Sequence, residues 1–161
     1  MATTVGRERE GGSVSGAISR FEQFFRLAAD LHVDKSDLRR FEEFMDRKLA
    51  DVLLSGEITA KANGRDVIES HDLVITKGLQ ERVHDYRRLD ADVEIRDMLA
   101  RRAVAPQMGV GLSTDARDRL PEIAGGLALA LARVLRLVDT RHHHPGSDDW
   151  LHAEEIFNLL V

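Results

Sequence analysis

Leu38, Phe41, Met45, Leu49 and Val52 recur at spacings of three and four, which marks one face of a helix that must be kept from water. The pattern starts after Asp34 or Ser36 and reaches about Ala62, just before Asn63 and Gly64. An oxygen-bearing side chain at the start can take up the free N–H groups of the first turn. A glycine at the end can take the left-handed conformation that closes a helix. At 1.5 Å per residue such a helix is about 40 Å long. Its neighbours are too short to cover it. Residues 20–29, RFEQFFRLAA, place Phe21, Phe24, Phe25 and Ala28 on a short stripe, and Ser70 or His71 opens another short helix through about Thr76, with Gly78 ending it or lying within it. A long apolar stripe between two short helices needs a partner.

The second half of the chain offers one. ADVEIRDMLARRA is a short amphipathic segment and PQMGVG a loop. Ser113 or Thr114 then caps a second long pattern, with Leu120, Ile123, Leu127, Leu131, Val134 and Val138 on one face. RHHHPGSDD follows as a loop and WLHAEEIFNLLV as a terminal helix. The same order of elements thus appears twice, at a period of about 80 residues, as expected of an internal repeat. Pro121 removes a backbone donor inside the second long pattern, so a kink there, or a start near Pro121, is expected. Gly125 and Gly126 soften the same region.

Composition narrows the function. The chain has no cysteine, which excludes disulfides, thiolate nucleophiles and thiolate metal sites. Three prolines and 5% aromatic residues suit a helical fold. Residues 1–17, rich in glycine, serine and mixed charge, read as a disordered tail without the apolar core of a signal peptide. The most apolar run, residues 125–138, is interrupted by Arg133 and Arg136 and is too short to span a bilayer. A cytoplasmic protein with no membrane partner is expected. The net charge of −5 is unlike that of a protein devoted to coating nucleic acid. No phosphate loop, nucleophile elbow, HExxH or dinucleotide fingerprint is present, and Gly109-Val110-Gly111 lacks the flanking strand that would make it one. His71-Asp72 and His84-Asp85 are sequence neighbours, which point about 100° apart on a helix and make no dyad. The expectation is a binding protein with no cofactor, not an enzyme.

The stretch KANGRDVIESHDL, residues 61–73, ends the first long helix, runs briefly extended through Val67 and Ile68, and carries Arg65 and Asp72 at its edges. Together with VDKSDL at 33–38 it resembles the archaeal histones, in which a valine opens the long helix and a Gly-Arg, an extended pair and an Asp follow one helix length later. The resemblance is close over residues 20–77 and extends to 90–161 by element order. The whole chain looks like a bacterial family of uncharacterised single-chain paired histone folds, DUF1931-like. It implies an all-α architecture of two tandem histone folds, residues 18–82 and 83–161, clasped as an intramolecular pseudodimer. It also implies a salt bridge between Arg65 and Asp72, pairing of Val67-Ile68 with a segment near Gly111-Leu112, and pairing of Trp150-Leu151 near His32-Val33.

The function implied is a histone-like, nucleoid-associated protein with weak, nonspecific affinity for duplex DNA. The alternative is a protein-interaction module that kept the histone-fold core and lost its DNA surface. The family's phosphate-contacting positions are only partly retained. In the first helix they fall on Gln23 and Arg26; the Arg before the loop valine is His32; the Lys-Thr pair after Arg65 is Asp66-Val67, and a following Lys is Glu69. Arg101 and Arg102 lie near the second half's first loop. Arg20, Arg26, Lys35, Arg39 and Arg40 are close in sequence and form the candidate DNA-binding patch, weighed against the solvated face of two amphipathic helices. The position of a His used in archaeal assembly is Ala62, so a monomeric pseudodimer or a weak homo-oligomer is expected rather than a filament. His142, His143 and His144, with Asp139, Asp148 or His152 nearby, are a weak metal candidate. Consecutive residues rarely converge on one ion, and an exposed polar loop with no metal is the expectation.

Overall fold

The computed structural model describes residues 11–93, 95–102, 110–139 and 141–160, with the side chains of 11–15, 90–93, 101 and 102 left aside. Six helices and two short strands occur among these residues: α1 (Gly11–Ala29), α2 (Lys35–Ala62), β1 (Val67–Ile68), α3 (Lys77–Val93), α4 (Arg96–Arg102), β2 (Gly111–Leu112), α5 (Thr114–Val138) and α6 (Ser147–Leu160). A 3-10 turn, Ser70–Asp72, lies between β1 and α3. No described helix is long and apolar enough to cross a membrane.

Helix α2 begins where the sequence places it. The Asp34 carboxylate accepts from the N–H groups of Ser36 at 2.7 Å and Asp37 at 3.0 Å, and the Asp37 carboxylate accepts from the N–H of Asp34 at 2.9 Å. The start of the helix and the residue before it are thus satisfied reciprocally. At the far end Gly64 takes φ +71°, and the N–H of Arg65 returns to the Ala60 carbonyl at 3.0 Å. Helix α5 is capped by Ser113, whose hydroxyl accepts from the Ala116 N–H at 3.1 Å.

Several expected boundaries move. Helix α1 takes in residues 11–17, read from sequence as disordered tail, because Ala17 and Ile18 are half-buried and an existing helix extends at one hydrogen bond per added residue; residues 1–10 lie outside the described residues. The short third helix expected at Ser70–Thr76 is only the 3-10 turn. The helix proper is α3, a full 17 residues, and the boundary drawn at 82/83 falls inside it. Helix α5 starts at Thr114 and runs through Pro121, which is buried within it. Gly125 and Gly126 are also buried in α5 and are contact positions: a Cβ on Gly125 would meet the ring of Tyr86, and one on Gly126 would stand 2.6 Å from a Val83 methyl and 3.0 Å from its backbone nitrogen. The two glycines let α3 lie unusually close on α5.

The long helices α2 and α5 pack on one another, with Lys48, Val52, Ser55 and Leu127 lining one small cleft between them. Each is then covered by the third helix of the other half. Helix α3 lies along α5, joined by Arg133 to Asp85 at 3.1 Å and Arg87 to Glu122 at 2.7 Å. Helix α6 meets α2 through Phe44 and Phe157, with ring centroids 5.0 Å apart, through Lys48 donating to the Asn158 side chain at 2.7 Å, and through the Arg47–Glu154 ion pair. Phe21, Phe25 and Phe41 stack together, and Phe25 reaches Trp150 of the other half at 6.3 Å. One continuous core therefore draws on both halves.

Candidate nucleic-acid interface

The exchange of helices brings the loops of the two halves together at two ends. At the first, β1 pairs in parallel with β2, Val67 opposite Gly111 and Ile68 opposite Leu112. The Gly111 N–H donates to the Asp66 carbonyl at 2.9 Å and the Ser113 N–H to the Ile68 carbonyl at 3.0 Å. This is the pairing anticipated from the sequence, and Ile68 is buried.

Arg65 clamps this end. Its guanidinium donates to both carboxylate oxygens of Asp72, at 2.6 and 2.8 Å, and to the Val67 carbonyl at 3.2 Å. Asp72 has no exposed surface and also accepts the Glu69 N–H at 2.8 Å. The Arg65 hydrogen bond, with the Glu69 N–H assisting, holds the Asp72 carboxyl well below the usual carboxylate range despite burial. A bidentate pair of this kind fixes angle as well as distance, so it sets how the 3-10 turn leaves α2. Next to it, Arg119 of α5 donates to the Ser70 carbonyl at 3.0 Å. Asp66 is exposed and Glu69 half-buried, which makes this end acidic around its clamped arginine.

At the second end His32 pairs with the loop before α6. The His32 N–H donates to the His143 carbonyl at 2.7 Å, and Nδ1 of His144 lies 2.6 Å from the His32 carbonyl. Pairing with Trp150-Leu151 does not occur, because α6 begins at Ser147 and carries both residues in its first turns. Trp150 is buried instead, its indole N–H donating to Asp37 at 2.8 Å. Burial pushes the Asp37 carboxyl up, against the backbone and indole donors that favour its charge. The loop turns around Asp139, whose carboxylate accepts the N–H groups of His142 at 3.0 Å, His144 at 3.2 Å and Arg141 at 3.3 Å, which keeps its pKa low.

The three histidines do not converge. Nδ1 of His142 is 3.5 Å from Asp139, Nδ1 of His143 is 2.9 Å from the Asp30 carbonyl and 3.0 Å from its carboxylate, and Nδ1 of His144 faces His32. No cluster able to hold a metal ion occurs among the described residues.

Within the expected basic patch, four of the five cations are exposed and Arg40 is half-buried. Arg20, Arg26, Lys35 and Arg39 are exposed. Arg39 pairs with Glu43 one turn on at 3.2 Å, and Arg40 donates to the Ser147 hydroxyl at 2.8 Å, tying α2 to the start of α6. Arg26 closes α1 and Lys35 opens α2, on either side of the His32 loop. The side chains of Arg101 and Arg102 lie outside the described ones. Ala62 is exposed at the end of α2. Sequence reasoning missed the Asp139 cradle and the buried Asp37–Trp150 bond; a Trp just after two acidic residues at a helix start was the only visible sign of the latter. A cleft of about 520 Å³ beside α5 is lined by Arg87, Arg96, Arg119, Asp115, Asp118 and Glu122. Glu122 lies 2.7 Å from Arg87 and 3.8 Å from Arg96, so three of these six charged side chains pair with one another.

The same fold is found in relatives of known structure. A Thermus thermophilus protein of known crystal structure is 43% identical, with a TM-score of 0.79 over 89% of this chain and 97% of its own. An Aquifex aeolicus crystal structure shares the fold at 22% identity, with a TM-score of 0.78 over 90% of this chain and 95% of its own. A protein of Aquifex aeolicus (strain VF5), itself named only as uncharacterized, is 25% identical over 73% of this chain and 68% of its own length. Residues 21–158 match the family described as a domain of unknown function, DUF1931. With a match over most of its length, the chain belongs to that family.

Proposed function

We propose that this chain is a histone-fold pseudodimer, a non-enzymatic binding protein whose ligand is duplex DNA, held weakly and without sequence preference. The observation that carries the reading is the reciprocal loop pairing. Val67-Ile68 meets Gly111-Leu112 at one end, and His32 meets His143-His144 at the other. Two long helices packed together, each covered by the other half's last helix, complete the arrangement expected of two histone folds joined in one chain. Paired loops present backbone N–H groups and side chains together, and phosphate contacts of this kind position a duplex without reading its sequence. Lys35 and Arg26 flank the His32 end and are the cations best placed for this role; Arg20 supports them. Arg40, tied to Ser147, serves the fold first.

A gel-shift titration of the full chain on duplex DNA tests this. Micromolar binding at about 50 mM salt that collapses by about 200 mM supports the reading, because released counterions make phosphate binding steeply salt-dependent. Absence of any shift at low salt refutes it. One observation favours the protein-interaction alternative. Leu159 and Leu160 of α6 and Leu137 of α5 are exposed, and Leu160 edges a largely apolar cleft of about 240 Å³ with Val134, Ile156 and Phe157. Purification of this chain with a protein after nuclease treatment, and no shift on DNA, supports that alternative.

A further inference from the structure

We propose that Asn63-Gly64 is a self-modifying site: the folded chain converts Asn63 to aspartate and isoaspartate by attack of its own backbone, at a rate set by the Arg65–Asp72 clamp. The chemistry needs no ligand and stands apart from the DNA reading. An Asn followed by Gly sets an electrophilic amide carbon beside a backbone nitrogen that no side chain shields, and reaction within one chain gains from proximity. The Gly64 nitrogen bonds to Cγ of Asn63 and closes a five-membered imide. The Cγ–Nδ2 bond breaks, and Nδ2 leaves as ammonia with the hydrogen that Gly64 gives up. Water then opens the ring. Cleavage at Cγ gives aspartate; cleavage at the main-chain carbonyl carbon leaves Gly64 joined through Cγ, which is isoaspartate. The chain's other asparagine, Asn158, precedes Leu159, whose side chain crowds the same approach.

The end of α2 leaves the pair open to water. Lys61, Ala62, Asn63 and Gly64 are exposed, and no atom lies within 4 Å of the Cβ position of Gly64. Hydrogen bonds restrain the turn. Nδ2 of Asn63 donates to the Thr59 carbonyl at 2.9 Å, the Gly64 N–H to the Lys61 carbonyl at 3.0 Å, and the Arg65 N–H to the Ala60 carbonyl at 3.0 Å. The first two occupy the reacting groups themselves, so Asn63 reacts when the last turn of α2 frays. Rotation about the bond between Cα and the carbonyl carbon of Asn63 carries Arg65 with it. The Arg65 side chain is fixed to buried Asp72 at 2.6 and 2.8 Å, so the clamp resists the fraying. The products act back on the clamp. Isoaspartate puts one extra main-chain atom just before Gly64 and lengthens the link between α2 and the fixed pair. Aspartate loses the Nδ2 donor and sets a carboxylate at the negative end of α2. Conversion therefore loosens the end of the molecule that carries it.

The test follows the full chain, folded, in mildly alkaline buffer over days. Cleavage after Glu57 and Glu69 releases residues 58–69, in which Asn63 is the only side-chain amide. Mass spectrometry of that peptide, with isoaspartyl methyltransferase labelling, reads both products. The expected result is conversion at Asn63, with isoaspartate present, while Asn158 stays intact. Arg65→Lys keeps the charge and loses the two-pronged bond to Asp72; it should convert several-fold faster than wild type while circular dichroism shows both folded. Converted wild-type chain, separated by its added negative charge, should melt below fresh chain. An Asn63 that stays intact in the folded chain over the time in which urea-unfolded chain converts fully overturns the site. Equal rates in wild type and Arg65→Lys, or converted chain that melts with fresh chain, overturn its coupling to the clamp. None of these outcomes bears on DNA binding.

Discussion

Gly125 is where the packing of α3 on α5 is most exposed to a single methyl group. In a free helix Gly→Ala is favourable by about 1 kcal/mol, and burying the added methyl is worth about 0.8 kcal/mol more. Here the new Cβ would lie well inside 3.0 Å of three ring atoms of Tyr86, where carbon pairs prefer about 3.5–4.0 Å. Tyr86 is 1% exposed and in the core, so the ring has no solvent to swing into, and α3 itself must move off α5. Overpacking of a close-packed core costs about 1–3 kcal/mol and occasionally more. Displacing a whole helix belongs at the upper end, and we expect Gly125→Ala to destabilise by about 2–3 kcal/mol net. At this chain length that is a fall in Tm of about 5–10 °C. Urea unfolding followed by the fluorescence of Trp150, the single tryptophan, measures it directly. Gly78→Ala is the control: it lies in α3 with nothing near its Cβ position, and it should be neutral or slightly stabilising. In a Tyr86→Ala background the Gly125→Ala penalty should largely vanish, a coupling that a double-mutant cycle isolates. Gly125→Ala at or above wild-type stability would show that α3 and α5 are not held as described.

Three further outcomes are expected. Arg65→Ala leaves a buried Asp72 carboxylate without its counter-charge and lowers stability at neutral pH; because Asp72 in the native state titrates below its unfolded value, its contribution is present above about pH 4 and is lost as pH falls, so the variant's urea midpoint should decline less between about pH 5 and about pH 2 than that of wild type. Trp150→Phe removes the only described side-chain donor to Oδ1 of Asp37 and should cost about 1–3 kcal/mol, read by circular dichroism during urea unfolding; no loss would mean that the indole bond contributes nothing. Residues 1–93 expressed alone should fail to give a cooperative melt, because α2 and the phenylalanine cluster lose Trp150 and Phe157, and α3 loses α5; a folded, non-associating monomer would overturn the account of the shared core.

The long stripes were legible because each is a clean three-and-four repeat bounded by recognisable caps, Asp34 and Gly64 for α2 and Ser113 for α5. The extended link at Val67-Ile68 was legible because Gly64 ends one helix just before two β-branched residues; its partner at Gly111-Leu112 came from the resemblance to paired histone folds. The other end was misread. Asp148, Asp149 and Trp150 follow Pro145 and Gly146, and the acidic pair is a helix start whose Asp149 carboxylate accepts the Gly146 N–H at 2.7 Å. Pairing fell to the histidines because Asp139 gathers three N–H groups and curls the loop back, an arrangement with no periodicity to betray it. Gly125 and Gly126 looked like flexible points because sequence shows propensity but not the helix lying across them. Among the candidate site residues, the Arg65–Asp72 pair was visible through the same resemblance, carried by the residues at 63–73. Whether Arg20, Arg26, Lys35, Arg39 and Arg40 share one face was not, since the loop between α1 and α2 reorients the helices.

A dimer of identical chains must display every residue twice, so its two ends are copies and a duplex can lie on it in either sense. Here the loop pairs come from different stretches of one polypeptide. Arg65, Asp66 and Glu69 mark one end, and His32 with His142–His144 mark the other. Each end can change without the other following. A rod-like ligand with unlike ends, lying from one to the other, would find the two directions unequal, and the protein would act as a polar clip, with an inside order that a symmetric clip cannot have.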